Sequence, residues 1–159
     1  MKKTILIIAF LTGCLNITAQ CYCDSLREVK NLCELEDAYP KKGLFYRSYN
    51  ITFDPSNGKI DTLWVPTERE LEEIARIIKS DSTIKQVKIN VHLDKGWSRF
   101  YFSHRLDIMY EDIISHLVRL GIKREILSGK QYYNKCPLIK TKDSRLDSYE
   151  NSRVEFVFE

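Results

Sequence analysis

Apolar and polar residues alternate along two segments in the second half of the chain. From Val87 to Asp94 every second residue is apolar, which predicts a strand with one buried and one polar face. The same alternation in Arg153–Glu159 predicts a final strand. An aromatic and β-branched segment, Leu44–Phe53, predicts the first strand, and Glu125–Ser128 is expected to form a short one.

Two amphipathic helices are predicted between these strands, because apolar residues recur three and four positions apart. The first helix carries Leu71, Ile74, Ala75 and Ile78 on one face, and the second carries Leu106, Met109, Tyr110, Ile113, Leu117 and Leu120. Thr67 and Glu70 have capping-box spacing at the start of the first helix, and Gly121 is expected to end the second. Asp54–Gly58 has the composition of a turn. The order strand, helix, strand, helix, strand, strand predicts an α+β fold with helices covering one face of the sheet.

The N-terminal residues have the pattern of a secretory signal peptide. Two lysines precede an apolar run, Ile5–Leu11, that is too short to span a membrane. Cleavage is expected either near Ala19 or within Leu11–Cys14, which resembles a lipobox in which Cys14 would carry lipid. Residues 1–19 are therefore predicted to be a signal peptide, 20–43 an N-terminal arm and 44–159 a single domain. The mature chain would contact a membrane only through a lipid on Cys14.

Net charge gives no sign of a charged partner. Removal of the signal peptide removes Lys2 and Lys3 and no acidic residue, so the formal charge falls from +3 to +1. A nearly neutral chain has no bulk attraction for nucleic acid or for an anionic membrane surface. We therefore expect no nucleic-acid partner.

Four cysteines, Cys21, Cys23, Cys33 and Cys136, remain after cleavage near Ala19. An even number in an exported protein predicts two disulfides, because the compartment is oxidising. A 21–23 bridge would close a very tight loop, which leaves 21–33 with 23–136, or 23–33 with 21–136. Either pairing would tie the arm to the domain. The Cys-x-Cys spacing differs from the Cys-x-x-Cys of zinc knuckles, so no metal is expected.

The sequence carries no recognisable catalytic motif. It has neither a Gly-x-Ser-x-Gly nucleophile turn nor a glycine-rich phosphate loop. His104 and His116 are twelve positions apart, so they do not share a helix face, and His92 lies on a predicted strand. We expect each histidine to be a solvated or core side chain, and the protein to be a non-enzyme without a cofactor.

In order and spacing, Val87–Glu159 resembles the peptidoglycan-associating domain at the C-terminus of outer-membrane protein A and its relatives. The matching positions are Asp94 at the strand end, Leu117 in the helix, Gly121-Ile122 after it, and Asn151–Phe156 in place of the family's Asn-Arg-Arg-Val-Glu-Phe. The resemblance implies a βαβαββ sandwich, with two main helices packed on one face of a mixed four-stranded sheet. The family's Leu-Ser-x-x-Arg-Ala segment is absent from this chain.

The resemblance also implies a ligand. Such domains hold the diaminopimelate group of the peptidoglycan stem peptide with an aspartate and an arginine. Asp94 matches the aspartate, but Met109 stands at the position of the arginine. Arg105, one helical turn earlier and about 6 Å away along the axis, is the alternative cation. Asp94 and Arg105 are thus the candidate ligand-binding residues, and Arg153 is expected to form a structural salt bridge.

A cluster of aromatic residues follows Asp94. Trp97, Phe100 and Phe102 replace a polar loop of the family and are candidates for an apolar surface that contacts a protein partner or a glycan. Two functions remain open: association with peptidoglycan, or binding of a periplasmic or outer-membrane protein by the same fold without cell-wall binding. Both place the protein in the periplasm or on the periplasmic face of the outer membrane.

Overall fold

The computed structural model describes residues 26–54, 56–61, 63–93, 99–132, 136–139 and 151–159; of residues 99–104 it describes the backbone alone. The predicted signal peptide with Cys14, and Cys21 and Cys23, lie outside the described residues. The elements are β1 (Arg27–Val29), α1 (Leu32–Asp37), β2 (Leu44–Ser48), α2 (Val65–Ser80), β3 (Val87–His92), α3 (Arg99–Arg119), a 3-10 turn (Arg124–Ile126), β4 (Leu127–Tyr132) and β5 (Arg153–Phe158).

The five strands form one mixed sheet in the order β1-β2-β5-β3-β4. β1 is parallel to β2, β3 is parallel to β4, and β5 is antiparallel to both of its neighbours. Four strands therefore run in one direction and β5 alone runs against them. We call the end where β2, β3 and β4 finish, at Ser48, His92 and Tyr132, the carboxyl end of the sheet. The opposite end is the amino end.

The main hydrophobic core lies between one face of the sheet and the helices. Ile89 and Phe156 of the sheet are fully buried in the same cluster as Leu71 of α2 and Ile113 of α3. The apolar stripe predicted for each helix is the face that enters this core. The predicted α+β fold, with its two main helices on the sheet, is confirmed.

The sheet has one strand more than the four predicted. β1 comes from the segment predicted as an arm, and Val29 of β1 is buried in the main core. Leu35 of α1 is also fully buried there, and α1 packs against α2. Lys41 Nζ donates to the carbonyl of Ala38 at 3.0 Å and lies 3.8 Å from Asp81 Oδ2, just after α2. Residues 27–43 therefore pack as part of the domain.

The predicted capping box at the start of α2 is wrong. The helix begins two residues earlier, at Val65, so Thr67 and Glu70 lie inside it and are buried. Thr67 Oγ1 donates to the carbonyl of Asn50 at 2.6 Å, and Glu70 accepts from Tyr46 Oη at 3.1 Å. Glu70 also accepts from Asn50 Nδ2 at 2.6 Å. These two side chains thus hold β2 and the chain that follows it against α2, instead of capping the helix.

The turn and the helix end predicted from glycines are confirmed. Gly58 has a φ of 76° and its N–H donates to the carbonyl of Asp54 at 2.8 Å. After α3, Gly121 has a φ of 88°. The Ile122 N–H donates to Leu117 O at 3.0 Å and the Gly121 N–H to Val118 O at 2.9 Å, which is the Schellman pattern. The short strand expected at Glu125–Ser128 begins later, at Leu127, and is longer.

The second face of the sheet carries a buried polar network instead of a solvated surface. Glu155 of β5 accepts from Arg153 Nε at 2.8 Å and lies 3.4 Å from Arg47 Nε on β2. His92 Nε2 lies 3.0 Å from the other carboxylate oxygen of Glu155, and the His92 ring stacks on Tyr132 with centroids 4.7 Å apart. The salt bridge predicted for Arg153 is confirmed. The alternation in β5 thus reflects two buried faces, one apolar and one ionic.

Candidate ligand-binding site

The loop between β3 and α3 opens at the carboxyl end of the sheet. The last described residue before it, Leu93, donates its N–H to Tyr132 O at 3.2 Å. Asp94 and Trp97 fall in this loop, outside the described residues, and the side chains of Phe100 and Phe102 are outside them as well. The predicted roles of these four residues therefore stay predictions. What the structure does describe is the set of elements around the loop.

Arg105 lies near the start of α3, close to this loop. Its side chain is half-buried, and it packs against the Asp54–Gly58 turn. A Cβ added to Gly58 would lie 3.2 Å from Arg105 Cβ and 3.4 Å from its carbonyl oxygen. A glycine at this position thus allows the turn to approach the helix backbone closely. The turn and α3 together form one side of the candidate site.

Asp54 gives this turn a fixed negative charge. Its carboxylate accepts from Ser56 N at 2.7 Å and from Asn57 Nδ2 at 2.8 Å. The hydrogen bonds from Ser56 lower the pKa of the Asp54 carboxyl below its usual value, and the bond from Asn57 and the positive charge of Arg105 act in the same direction. Arg105 therefore lies near enough to Asp54 to favour its charged form, and the sequence analysis had assigned this carboxylate only to a turn.

The same hairpin is held along α3 at a second point. Phe53 and Ile60 form an isolated antiparallel bridge, and the N–H of Ile60 donates to Asp112 Oδ2 at 2.8 Å. The hairpin thus contacts α3 at Arg105 and again two turns later. These contacts fix the position of the turn relative to the candidate cation.

Met109 cannot present a polar group to a ligand. It is 2% exposed and lies in the main hydrophobic core, next to the stripe formed by Leu106 and Ile113. Arg105 is therefore the candidate for the cation among the side chains that the structure describes on this face of α3. Whether it binds a ligand stays a prediction.

An exposed apolar segment that the sequence analysis missed lies just before α2. Leu63 is 91% exposed, Trp64 50% and Val65 53%. Trp64 stands seven residues before Leu71, so helical periodicity places it on the buried stripe. The helix begins only at Val65, however, and the preceding turn points these side chains into solvent. The sequence pattern gave no signal of this exposure.

In both predicted cysteine pairings the bond to Cys33 is wrong, and the bond from Cys136 to Cys21 or Cys23 stays a prediction. Cys33 is a free, exposed thiol on α1. Cys136 is buried and disulfide-bonded, and its partner lies outside the described residues. The error arose because α1 packs on α2 with Cys33 on its outer surface, a placement that cysteine spacing does not reveal.

Other chemical features of the described residues are limited. Among them, no group of three or more metal-ligating side chains comes together. In the same part of the chain, no helix is long and apolar enough to cross a membrane. His116 is buried on α3 with its Nδ1 3.0 Å from Arg119 Nη2, and burial followed by the charge of Arg119 lowers the pKa of His116.

Comparison with known proteins shows which solved structures share this architecture. No family model matches the chain, and no curated protein matches it. Among solved structures, the periplasmic domain of Helicobacter pylori MotB is 21% identical, with a TM-score of 0.55 over 72% of this chain and 73% of that one. The peptidoglycan-associated lipoprotein from Burkholderia pseudomallei is 16% identical, with a TM-score of 0.55 over 69% and 88%.

The similarity extends over more of the chain in a third structure. The OmpA-like domain of FopA1 from Francisella tularensis is 13% identical, with a TM-score of 0.52 over 87% of this chain and 94% of that one. The structural similarity establishes a shared architecture. Sequence identities this low do not establish a shared ligand. The protein described here has the fold of OmpA-like domains.

Proposed function

We propose that this protein is an exported, non-catalytic domain of the cell envelope that associates with peptidoglycan through the carboxyl end of its sheet. The fold supports this proposal, as does the similarity to a structure described as a peptidoglycan-associated lipoprotein. The sequence adds a predicted signal peptide, which would direct the chain out of the cytoplasm. The function needs no catalytic group, since binding alone holds the envelope layers together.

The single observation that carries the proposal is the position of Arg105. It lies at the carboxyl end, one helical turn before buried Met109, and the loop that contains Asp94 joins β3 to the same helix. A zwitterionic amino-acid group of a stem peptide needs one anion and one cation, and the planar guanidinium matches a carboxylate with two parallel hydrogen bonds. Asp94 would take the ammonium group and Arg105 the carboxylate.

Co-sedimentation of the mature protein with purified sacculi tests this function. We expect the wild-type protein to sediment with sacculi, and both Asp94→Ala and Arg105→Ala to weaken its affinity for sacculi by about tenfold, the effect of losing one charged contact. Arg27→Ala is the matched control, because Arg27 is an exposed arginine at the amino end. If the wild-type protein binds sacculi and both site variants bind equally well, this site is excluded.

The second candidate function is capture of a periplasmic or outer-membrane protein. The loss of the family arginine at Met109 favours it, as does the apolar residue content of the loop around Trp97. If wild-type protein does not sediment with sacculi, this function replaces the first. Crosslinking in intact cells, with a photoreactive residue at position 97, would then report the partner.

The mature N-terminus belongs to the same proposal. Cleavage near Ala19 gives a periplasmic protein, whereas lipidation of Cys14 gives one anchored to a membrane. The intact mass of the mature protein distinguishes the two, because the diacyl and N-acyl groups add a large, defined mass to a chain that begins at Cys14. The same spectrum, recorded with and without reductant, counts the disulfides.

A further inference from the structure

From the exposed segment Leu63–Val65, which we call the apolar turn, we infer a second contact with the cell wall: Trp64 and Leu63 form a platform for a sugar ring of the glycan strand. This inference rests on the proposed function, because it places the platform beside the stem-peptide site. It adds a ligand class, an uncharged glycan, that the pair Asp94 and Arg105 does not account for.

The apolar turn is exposed without any compensating contact that would bury it. All three side chains are at least half exposed, and Leu63 is 91% exposed. Elsewhere in the described residues, large exposed apolar side chains are single, at Tyr39, Val118 and Leu138. Isolated exposed apolar residues are ordinary, whereas contiguous ones mark a contact surface.

Hydrogen bonds of the backbone hold the apolar turn in place. The Leu63 N–H donates to Asp61 Oδ1 at 3.0 Å, and the Trp64 N–H donates to the Asp61 carbonyl at 3.2 Å. The Thr67 N–H then donates to Trp64 O at 2.9 Å as α2 begins. Because these bonds set the direction of the chain, the side chains are presented to solvent before any ligand arrives. A fixed platform loses little conformational entropy on binding.

The apolar turn lies at the same end of the molecule as the stem-peptide site. Thr67, three residues after Trp64, binds Asn50 just beyond the end of β2. β2 and β3 run in the same direction, so this is also the end where β3 leads into the Asp94 loop. The chain between them, the Asp54–Gly58 turn, packs on Arg105. The apolar turn and Arg105 therefore lie at the same end of the molecule.

The chemistry of the patch fits an uncharged sugar better than a lipid surface or a protein. The flanking exposed side chains Lys59, Glu68 and Arg69, together with Asp61, carry no net charge and so offer no attraction for an anionic bilayer. Three consecutive residues are also far smaller than the ~800 Å² per partner of a stable protein interface. An indole face, negative at its centre, attracts the C–H groups that line one side of a sugar ring.

Two ligands separate this inference from the proposed function: purified sacculi, and a soluble β-1,4-linked tetramer of N-acetylglucosamine. We expect Trp64→Ala to weaken binding of the mature protein to both, by roughly three- to tenfold, the effect of one lost aromatic contact. Trp64→Phe should retain most of the affinity, and Arg105→Ala should weaken binding to sacculi alone. Val118→Ala removes exposed apolar surface near the amino end and should change neither.

Each contrary result has a distinct meaning. Sacculus binding that depends on Arg105 but not on Trp64 overturns the platform and leaves the proposed function intact. Failure of the wild-type protein to bind sacculi overturns both. If Trp64→Ala instead reduces binding to vesicles of phosphatidylethanolamine and phosphatidylglycerol while the tetramer does not bind, the apolar turn is a lipid contact and the inference is wrong. Circular dichroism of each variant verifies that the fold is retained.

Discussion

His92 Nε2 lies 3.0 Å from Glu155 Oε2, and both side chains are buried on the face of the sheet opposite the helices. Burial lowers the pKa of His92, and the charges of Arg153 and Arg47 lower it further, although the bond to Glu155 acts in the opposite direction. Among the described residues, Nδ1 of the ring has no hydrogen-bond partner. Protonation would place a second N–H there without an acceptor. The folded protein therefore disfavours protonation of His92.

This lowered pKa predicts a loss of stability in mild acid. A histidine whose pKa is lower in the folded than in the unfolded state stabilises the fold fully above the unfolded value, about 6.5. That contribution falls as the pH drops below 6.5 towards the folded value, because the unfolded chain takes up the proton first. We expect the free energy of unfolding, measured in urea, to be lower at pH 5.5 than at pH 7.5.

One variant isolates the part of this pH-dependent loss of stability that is due to His92. His92→Gln keeps an N–H that can donate to Glu155 but does not titrate, so it should show a smaller drop between the two pH values. His116, whose pKa is also lowered, and the carboxyl groups should account for the remainder. An equal drop in the wild-type protein and in His92→Gln would show that His92 is not the group responsible.

Substitution of Glu155 is predicted to cause one of the largest losses of unfolding free energy. Arg153, Arg47 and His92 all contact its carboxylate, and Glu155→Ala would leave the buried Arg153 guanidinium without this anion. Breaking a buried ion pair from one side costs about 3 kcal/mol or more of unfolding free energy. Lys88→Ala, which removes a half-exposed pair with Glu159, should cost about 1 kcal/mol or less. Urea unfolding of both variants tests the difference.

Gly129 of β4 should not tolerate alanine. An added Cβ would overlap the backbone carbonyl of Ile89 on the neighbouring strand β3, so the two strands would have to separate. We expect a large loss of thermal stability, or no soluble protein. Gly43→Ala provides the comparison, because Gly43 has a φ of 83° but open space around it. That change should cost only the backbone strain, about 1 kcal/mol. Similar losses in both variants would contradict the close approach.

The two described cysteines should differ in reactivity. Cys33 is free and exposed, so iodoacetamide should alkylate it in the native protein without reductant. Cys136 is buried and bonded, and it should react only after unfolding and reduction. Peptide mass mapping of a native sample and of an unfolded, reduced sample, each treated with iodoacetamide, measures alkylation at both cysteines. Protection of Cys33 in the native protein would indicate a bond that these residues do not show.

The periodicity of apolar residues correctly predicted the helices and strands that bury one apolar face. The stripe that includes Leu106 and Ile113 became the buried face of α3, and Gly121 ended that helix as expected. β1 was missed, because three residues are too few for a period to appear. Pairing with β2 and burial of Val29, both long-range effects, create that strand.

The parts of the site that the sequence did not predict depend on contacts between distant segments. Thr67 and Glu70 have capping spacing, yet both are hydrogen-bonded to Asn50, just after β2, so tertiary contacts prevailed over a local motif. Asp54 was assigned to a turn alone, because its closeness to Arg105 requires the hairpin to fold back on α3. Trp64 fell on the extrapolated apolar stripe, although the helix starts too late to bury it.

The strand directions also determine how the domain would respond to mechanical force. The chain enters the sheet at β1, at the amino end, whereas the proposed wall contacts lie at the carboxyl end. Tension between the N-terminal segment and the wall would pull along the direction of β1 and β2. The hydrogen bonds that join these two strands would then bear the force simultaneously, as a shear load. Such bonds resist force together and do not open one after another. Strand direction alone thus gives a small domain the geometry of a mechanical link.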